Sequence, residues 1–311
     1  MMKDAIKNAA LELGFSHVGV ARAEALPEAP LLDWLAQGYH GSMGWMARDP
    51  KARLDPREIF AGCQTVISLA MNYYTPQPTK SDETHGRISR YARGRDYHKV
   101  LRKRLKALAQ KIETLAPGTK TKICTDSTPV SEKAWAQRAG IGWQGKHTTL
   151  ITHDVGSWIF LGEILTDLPL QPDPPHLDFC GSCNRCMEAC PTQAITEPYV
   201  LDATRCIAYL TIENKTPPPT ELASQMGDWI FGCDICQEVC PWNKFSQTTE
   251  IADFFPKPQM ERPLSDWLLM NEETFFNQFA GTPIMRAKRT HMAENAQVAL
   301  GNKQTGKGHH S

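Results

Sequence analysis

Residues Cys180 to Pro241 constrain this chain more than any other stretch. The segment opens with Cys180-x2-Cys183-x2-Cys186-x3-Cys190-Pro191 and closes with Cys233-x2-Cys236-x3-Cys240-Pro241, with Cys206 between them. In a run of this spacing three thiolates grip one iron–sulfur cube, and the fourth cysteine, just before proline, reaches across to a second cube. The second run reads as a copy of the first whose leading cysteine, Cys206, is displaced upstream by the insertion of residues 207–232. The crossover assigns Cys180, Cys183, Cys186 and Cys240 to one [4Fe–4S] cluster, and Cys190, Cys206, Cys233 and Cys236 to the other. Zinc knuckles usually mix Cys with His and lack the Cys-Pro endings. A disulfide scaffold would need an exported chain. Two such clusters carry electrons singly at low potential, so whatever reacts nearby is expected to be reduced.

A length of 311 residues allows one large or two moderate domains, each with a proper core. The 34 Lys plus Arg balance 34 Asp plus Glu, so no global field points to nucleic acid or membrane, and any nucleic-acid site must be a local patch. Residues 1–20 lack a signal-peptide apolar core and a twin-arginine leader. No stretch approaches ~18 uninterrupted apolar residues, so a cytoplasmic protein is expected. The remaining cysteines, Cys63 and Cys124, sit in apolar strand-like runs and read as small buried hydrophobes.

Along the chain, residues 3–13 have helical periodicity and stop at Gly14. A strand over 15–21, a helix over 31–37 and a glycine-punctuated, loop-like stretch over 38–46 follow. Thr65 to Tyr74 reads as a buried strand, and Thr75 to His85, with Pro76 and Pro78, as a loop. Between Arg87 and Lys106 nine Lys and Arg face one acid, Asp96. Val100, Leu101, Leu105, Leu108 and Ala109 recur at helical spacing there, predicting a helix over 97–115 with a basic outer face. That face is either simply solvated or, with Tyr91 and Tyr97, suited to RNA phosphates and unstacked bases.

Thr121 to Thr125 predicts a strand ending at Asp126, before a helix over 132–139. An aspartate there is more often a turn or capping residue than a catalyst, although a strand end presents its side chain to a cleft from a rigid base. Gly140-Ile141-Gly142-Trp143-Gln144-Gly145 satisfies G-x-G-x-x-G formally, but it follows a helix and precedes a strand, so dinucleotide binding is rejected. Thr148 to Thr152 and Ser157 to Thr166 are expected to pair as a hairpin turning at 153–156. The proline-rich 168–175 marks a domain boundary, 267–300 is mostly helical in pattern, and 301–311 is expected to be disordered. Ala293 to Leu300 resembles the opening of a helical repeat.

With these segments in place, the sequence resembles the epoxyqueuosine reductases, cobalamin-dependent iron–sulfur enzymes of tRNA queuosine synthesis. The resemblance covers nearly the whole chain. It rests on Arg53-Leu54-Asp55-Pro56, on Tyr91-Ala92-Arg93-Gly94-Arg95-Asp96-Tyr97-His98, on Ala139 to Lys146, on Gly156 to Ile164, on both cysteine runs, and on Gly232 to Asn243. Composition does not show cobalamin: the Asp-x-His-x-x-Gly fingerprint of one cobalamin class fails, because Leu101 stands where Gly is needed. That cofactor enters through the resemblance alone.

The resemblance implies an α+β architecture similar to reductive dehalogenases. Residues 1–170 would form a cobalamin-binding α+β domain, 171–255 a ferredoxin-like domain with two [4Fe–4S] clusters, and 256–300 a short helical C-terminal region. Electrons would pass through the clusters to cobalt, and Asp126 matches the family's proton donor. Arg53, Tyr97, Lys146, Ser157 and Trp158 are expected to line the corrin, with Arg205, Asp234 and Gln237 reaching it from beside the cluster cysteines. Lys133 and the Arg87 to Arg95 group are candidates for tRNA phosphate contacts. The expected partners are a tRNA anticodon stem-loop carrying epoxyqueuosine and a reductase or flavodoxin-type electron donor, with a monomer as the expected state. Many family members continue into helical repeats where this chain ends, which would weaken its hold on tRNA or call for a different way of holding the anticodon stem. The competing reading is a cobalamin-dependent reductive dehalogenase of small molecules.

Overall fold

The computed structural model describes residues 2–76 and 82–306. The expected loop over 75–85 therefore lies partly outside the described residues, as does the end of the expected disordered tail.

The front half is built on one antiparallel sheet of β1 (His17–Arg22), β2 (Thr65–Asn72), β3 (Thr121–Cys124) and β4 (Ile159–Thr166), in the spatial order β1-β2-β4-β3. The β-branched run of β2 is buried along almost its whole length because both of its faces are covered. Ile67, Leu69 and Met71 face α1 (Met2–Glu12) and α2 (Tyr97–Leu115). Val66 packs on the other side with Trp135 and Ala139, beside α3 (Glu132–Arg138). Cys63 and Cys124 are buried in that second core, as expected of small hydrophobes. The α2 helix starts where Asp96 accepts a hydrogen bond from the His98 amide at 3.0 Å. Its buried residues are the ones that recur at helical spacing, with Ile112 added.

The expected hairpin does not form. Leu150–Ile151 pairs with Trp143–Gln144, and β4 instead enters the centre of the sheet between β2 and β3. Only a single bridge, Thr152 to Gly156, remains at the predicted turn. A strand long enough to cover β2 gains more from two neighbours than from one short hairpin partner. The glycines of the 140–145 motif serve this packing: a Cβ on Gly142 would lie 2.1 Å from the Ile151 carbonyl oxygen. No strand-to-helix turn forms there, in keeping with the rejection of a dinucleotide site.

The glycine-rich 38–46 stretch is pinned, not free. Gly41 has a positive φ of 52°, and its missing side chain leaves room for the Tyr209 ring. The Ser42 amide donates to the Tyr209 hydroxyl at 2.8 Å, and that hydroxyl donates to Ser42 Oγ at 2.9 Å.

The proline-rich 168–175 segment has no regular structure, yet it is anchored. Asp173 is paired with Lys3 at 3.0 Å and Lys7 at 2.7 Å, and it accepts from the Val20 amide. The hydrophobic cores also cross that boundary. Arg87–Ile88 pairs in parallel with Trp229–Phe231, and Ile88 and Ala92 sit in one core with Trp267, Phe279 and Ala296. The C-terminal segment is helical at 264–269, 272–279 and in α4 (Lys288–Gln304). Residues 301–304, expected to be disordered, thus continue a helix, held where Asn302 donates to the Ala223 and Gly227 carbonyls. Among the described residues no helix is long and apolar enough to cross a membrane.

One buried carboxylate ties the halves together. Asp234, 1% exposed, accepts from the Ser89 hydroxyl, from the Arg90 amide at 2.8 Å and from the Arg90 guanidinium at 3.4 Å. Replacing Asp234 with alanine strands these donors, although Glu238 still holds Arg90 at 2.6 Å. The expected cost is about 3 kcal/mol, measured as a lowered denaturation midpoint of the cluster-loaded protein.

Candidate functional site

Asp126 stands just beyond the end of β3, in a turn closed by the Thr128 amide on the Thr125 carbonyl at 2.8 Å. It does not cap α3, whose preceding residue, Ser131, also makes no side-chain cap. Instead Asp126 Oδ2 meets His98 Nε2 at 3.0 Å, while His98 Nδ1 meets Asp96 Oδ1 at 2.7 Å. The His98 hydrogen bond holds the Asp126 carboxyl below the usual range against the opposing effect of burial, with help from the Tyr97 hydroxyl and the charge of Arg286. Burial alone would depress His98, but its bonds to Asp126 and Asp96 prevail and push it up to about 9. At neutral pH the pair is an imidazolium facing a carboxylate.

Around this pair the chain collects further groups. Arg53 carries its charge within reach of Asp126 and donates to the Trp45 carbonyl at 3.1 Å. Tyr97 stacks on His98 at 4.1 Å and on Phe160 at 4.3 Å, and burial keeps its hydroxyl protonated. Glu132 is pushed up to about 8 by burial and then by the Asp126 charge, so a protonated acid stands beside an ionised one. Arg286 reaches in from the C-terminal segment, held by Glu213 at 2.8 Å and stacked on Trp45 at 5.2 Å. The expected set held only Arg53, Tyr97 and Asp126. His98, Glu132 and Arg286 were missed, though Asp96-x-His98 ahead of a helix already signals a histidine oriented by its own capping acid.

All ten cysteines are free thiols. Cys180, Cys183, Cys186 and Cys240 line one cavity of ≈ 380 Å³ together with Lys146, Phe179, Trp242 and Phe245. Burial pushes the Cys236 thiol well up, and the charges of Cys206 and Cys190 push it further; Cys233 responds likewise to burial, Cys236 and Cys206. Among the described residues no three Cys, His, Asp or Glu side chains converge on the position of a single ion. Four thiols lining one cavity, and a second group whose charges act on one another, suit clusters better than a lone zinc.

Lys133 links the second group to the Asp126 cleft. The charges of Glu132, Cys236, Cys206 and Asp126 all act on it. Its side chain is exposed, so it remains open to a tRNA phosphate as well as to the cleft. Arg53 Nε and Glu132 Oε1 are buried without a partner beside this space. A planar cofactor rimmed with amide groups would give both atoms partners, so the residues present fit a corrinoid.

Several residues expected to line the corrin have protein partners. Lys146 Nζ donates to the Gly181 and Cys183 carbonyls at 2.8 and 3.0 Å and to Asn184 Oδ1 at 3.1 Å, bracing the first cysteine loop. Arg205 donates to the Thr192 carbonyl at 2.9 Å. Gln237 donates to the Ser157 carbonyl and hydroxyl, and the Ser157 amide donates to Asn243 at 2.7 Å, so Ser157 and Gln237 form a polar knot between the halves. Trp158 is 2% exposed under Tyr73, Tyr74 and Arg90, and Asp234 is engaged as described. The basic stretch is corrected too. Arg87 pairs with Asp228 over Trp229, Arg90 with Asp234 and Glu238, and Arg93 is buried. Arg95, Lys99, Arg102, Lys103 and Lys106 remain exposed.

Two family models match the chain. The one described as "Epoxyqueuosine reductase QueG, DUF1730" spans residues 53–127, and the "4Fe-4S double cluster binding domain" spans 179–243. An epoxyqueuosine reductase from Synechocystis is 48% identical over 273 residues, covering 87% of this chain and 94% of its own. The chain belongs to the epoxyqueuosine reductase family. Among solved structures of this family, the one from Bacillus subtilis with its catalytic aspartate loop swung out of the active site matches with TM-score 0.90 and 30% identity, over 97% of this chain and 82% of that one. An epoxyqueuosine reductase with an epoxyqueuosine-modified tRNA stem loop matches with TM-score 0.91 and 29% identity, over 98% and 82%. The first family model starts at Arg53 and ends one residue past Asp126, so it encloses Tyr97, His98 and Asp126.

Proposed function

We propose that this protein reduces epoxyqueuosine to queuosine at the wobble position of tRNA, with Asp126 delivering protons to the epoxide oxygen. The observation that carries this reading is the strand-end acid Asp126 held against His98 at 3.0 Å, inside the segment that the reductase family model spans. Electrons enter where the first cavity opens to the surface beside Phe179 and Phe245, which are 45% and 48% exposed. They leave from Cys190, Cys206, Cys233 and Cys236, on the cleft side. A flavodoxin-type donor is the partner proposed for the entry side, and a cytoplasmic monomer is the proposed state.

Arg53, Tyr97 and Glu132 are the residues that would hold a corrinoid in the cleft, where it supplies low-potential two-electron chemistry at carbon. The chain's own residues do the rest. The Tyr97 hydroxyl and His98 aim the Asp126 carboxyl, and Arg53 and Arg286 keep the substrate oxygen in a positive field as charge develops on it. The exposed cations from Arg95 to Lys106 suit phosphates of an anticodon stem, so binding is salt-dependent. A dehalogenase acting on small molecules has no use for that face.

Anaerobically purified, cluster-loaded protein supplied with cobalamin and a strong reductant is expected to convert epoxyqueuosine in an anticodon stem-loop to queuosine. Nucleoside mass spectrometry checks the outcome. An unchanged stem-loop alongside dehalogenation of a chlorinated aromatic would overturn the assignment.

A further inference from the structure

Removing an epoxide oxygen to leave an alkene takes two electrons and two protons, and both protons end on the same oxygen as it departs as water. Asp126 carries no proton at rest, because it is ionised against His98. An ionised carboxylate gives nothing until it is loaded, and here it must be loaded twice. The groups that can load it are few. Tyr97 is a buried phenol whose pKa is pushed up, so it holds its proton. Glu132 reaches only the backbone of Asp126. Lys133, Arg53 and Arg286 act on Asp126 through their charges.

His98 is different in geometry. Its Nε2 is 3.0 Å from the carboxylate oxygen Oδ2, within transfer distance. Its Nδ1 is fixed at 2.7 Å on Asp96, and Asp96 is itself locked by capping α2. With Nδ1–H committed to Asp96, only the Nε2 proton is free to move, and losing it leaves a stable neutral tautomer. Tyr97 stacks on one face of the ring, and the side chain is 31% exposed, so water can refill it.

We propose that His98 is the proton store for this reaction: it hands its Nε2 proton to Asp126 Oδ2, is refilled from water, and repeats the transfer once per turnover. In the first event a carbon–oxygen bond of the epoxide breaks as electrons arrive at carbon, and the oxygen takes the Asp126 proton to become a hydroxyl. His98 reloads Asp126. In the second event the hydroxyl takes that proton and leaves as water while the alkene forms. The two electrons come from the low-potential donor through the clusters, and the two protons come from solvent through His98. His98 acts through Asp126, so it is a positioning residue and not one that touches substrate. This rests on the proposed reductase reading.

The test compares wild type with His98→Gln and Asp96→Asn, all cluster-loaded, in single turnovers of a modified stem-loop between pH 6 and 10. The wild-type rate is expected to stay level up to about pH 9, where His98 loses its proton, and to fall above it. His98→Gln is expected to lose about 100-fold at pH 8. Its rate should also fall tenfold per pH unit across the range, and part of it should return with added imidazole. Asp96→Asn should move the fall to lower pH. In corrinoid-free protein, the ¹⁵N signal of His98 should titrate near pH 9, and Asp126→Asn should bring it down. A His98→Gln rate within twofold of wild type, or a loss with unchanged profile and no rescue by imidazole, would overturn the proton store. A wild type that leaves the stem-loop untouched would sink the reductase reading instead.

Discussion

Asp126→Asn is expected to lower the rate of epoxide reduction by about 10²- to 10⁴-fold, the usual contribution of one positioned proton donor. The amide keeps the size of the carboxyl and can still accept a hydrogen bond from His98 Nε2, now 3.0 Å from Oδ2. It cannot accept a proton and pass it on. Stem-loop affinity and iron content should stay unchanged, because Asp126 is half-exposed in the cleft and contacts none of the cysteines that line the first cavity. Rapid-quench assays with pre-reduced protein separate this loss from a change in electron supply. A rate within threefold of wild type would remove Asp126 from the proton path.

Cys240→Ser is expected to cut iron from about eight to about four per chain and to abolish turnover. Cys240 belongs by sequence to the second run, yet its side chain lines the cavity of Cys180, Cys183 and Cys186. Pairing mutations decides the matter. Cys240→Ser combined with Cys180→Ser should lose no more iron than either alone, since both would strip the same cluster. Combined with Cys206→Ser it should leave none. Iron analysis and spin resonance of the reduced protein check both. The opposite pairing pattern would undo the crossover.

The cysteine runs were the most legible part of the sequence, because cluster ligation depends on local spacing and on a proline that turns the chain. The helix over 97–115 and the buried strand at 65–72 were legible for the same reason, since one face or two faces of apolar residues leave a clear period. The partner of β4 was not. Two strands separated by four turn-like residues look like a hairpin, and only the long-range demand of β2 for a second neighbour overrides it. The arginines at 87 and 90 escape a sequence reading on similar grounds: their acids, Asp228 and Asp234, lie more than 130 residues away in the chain. Lys146 and Gln237 sit in family-like segments, and sequence cannot say whether such a residue touches the cofactor or braces the loop that does. His98 was within reach. Its spacing from Asp96 fails a cobalamin fingerprint, yet the same two residues form the hydrogen-bonded chain that reaches Asp126.

The short parallel pairing of Arg87–Ile88 with Trp229–Phe231, inside a core completed by residues up to 299, has a bearing on biosynthesis. A nascent chain has made β1, β2 and α2 long before the ribosome produces the partners of residues 87–92. The segment that leads into Asp96 and His98 must therefore wait for the last helices to emerge. The cysteines at 180–240 leave the ribosome between those events, before the residues that complete this core.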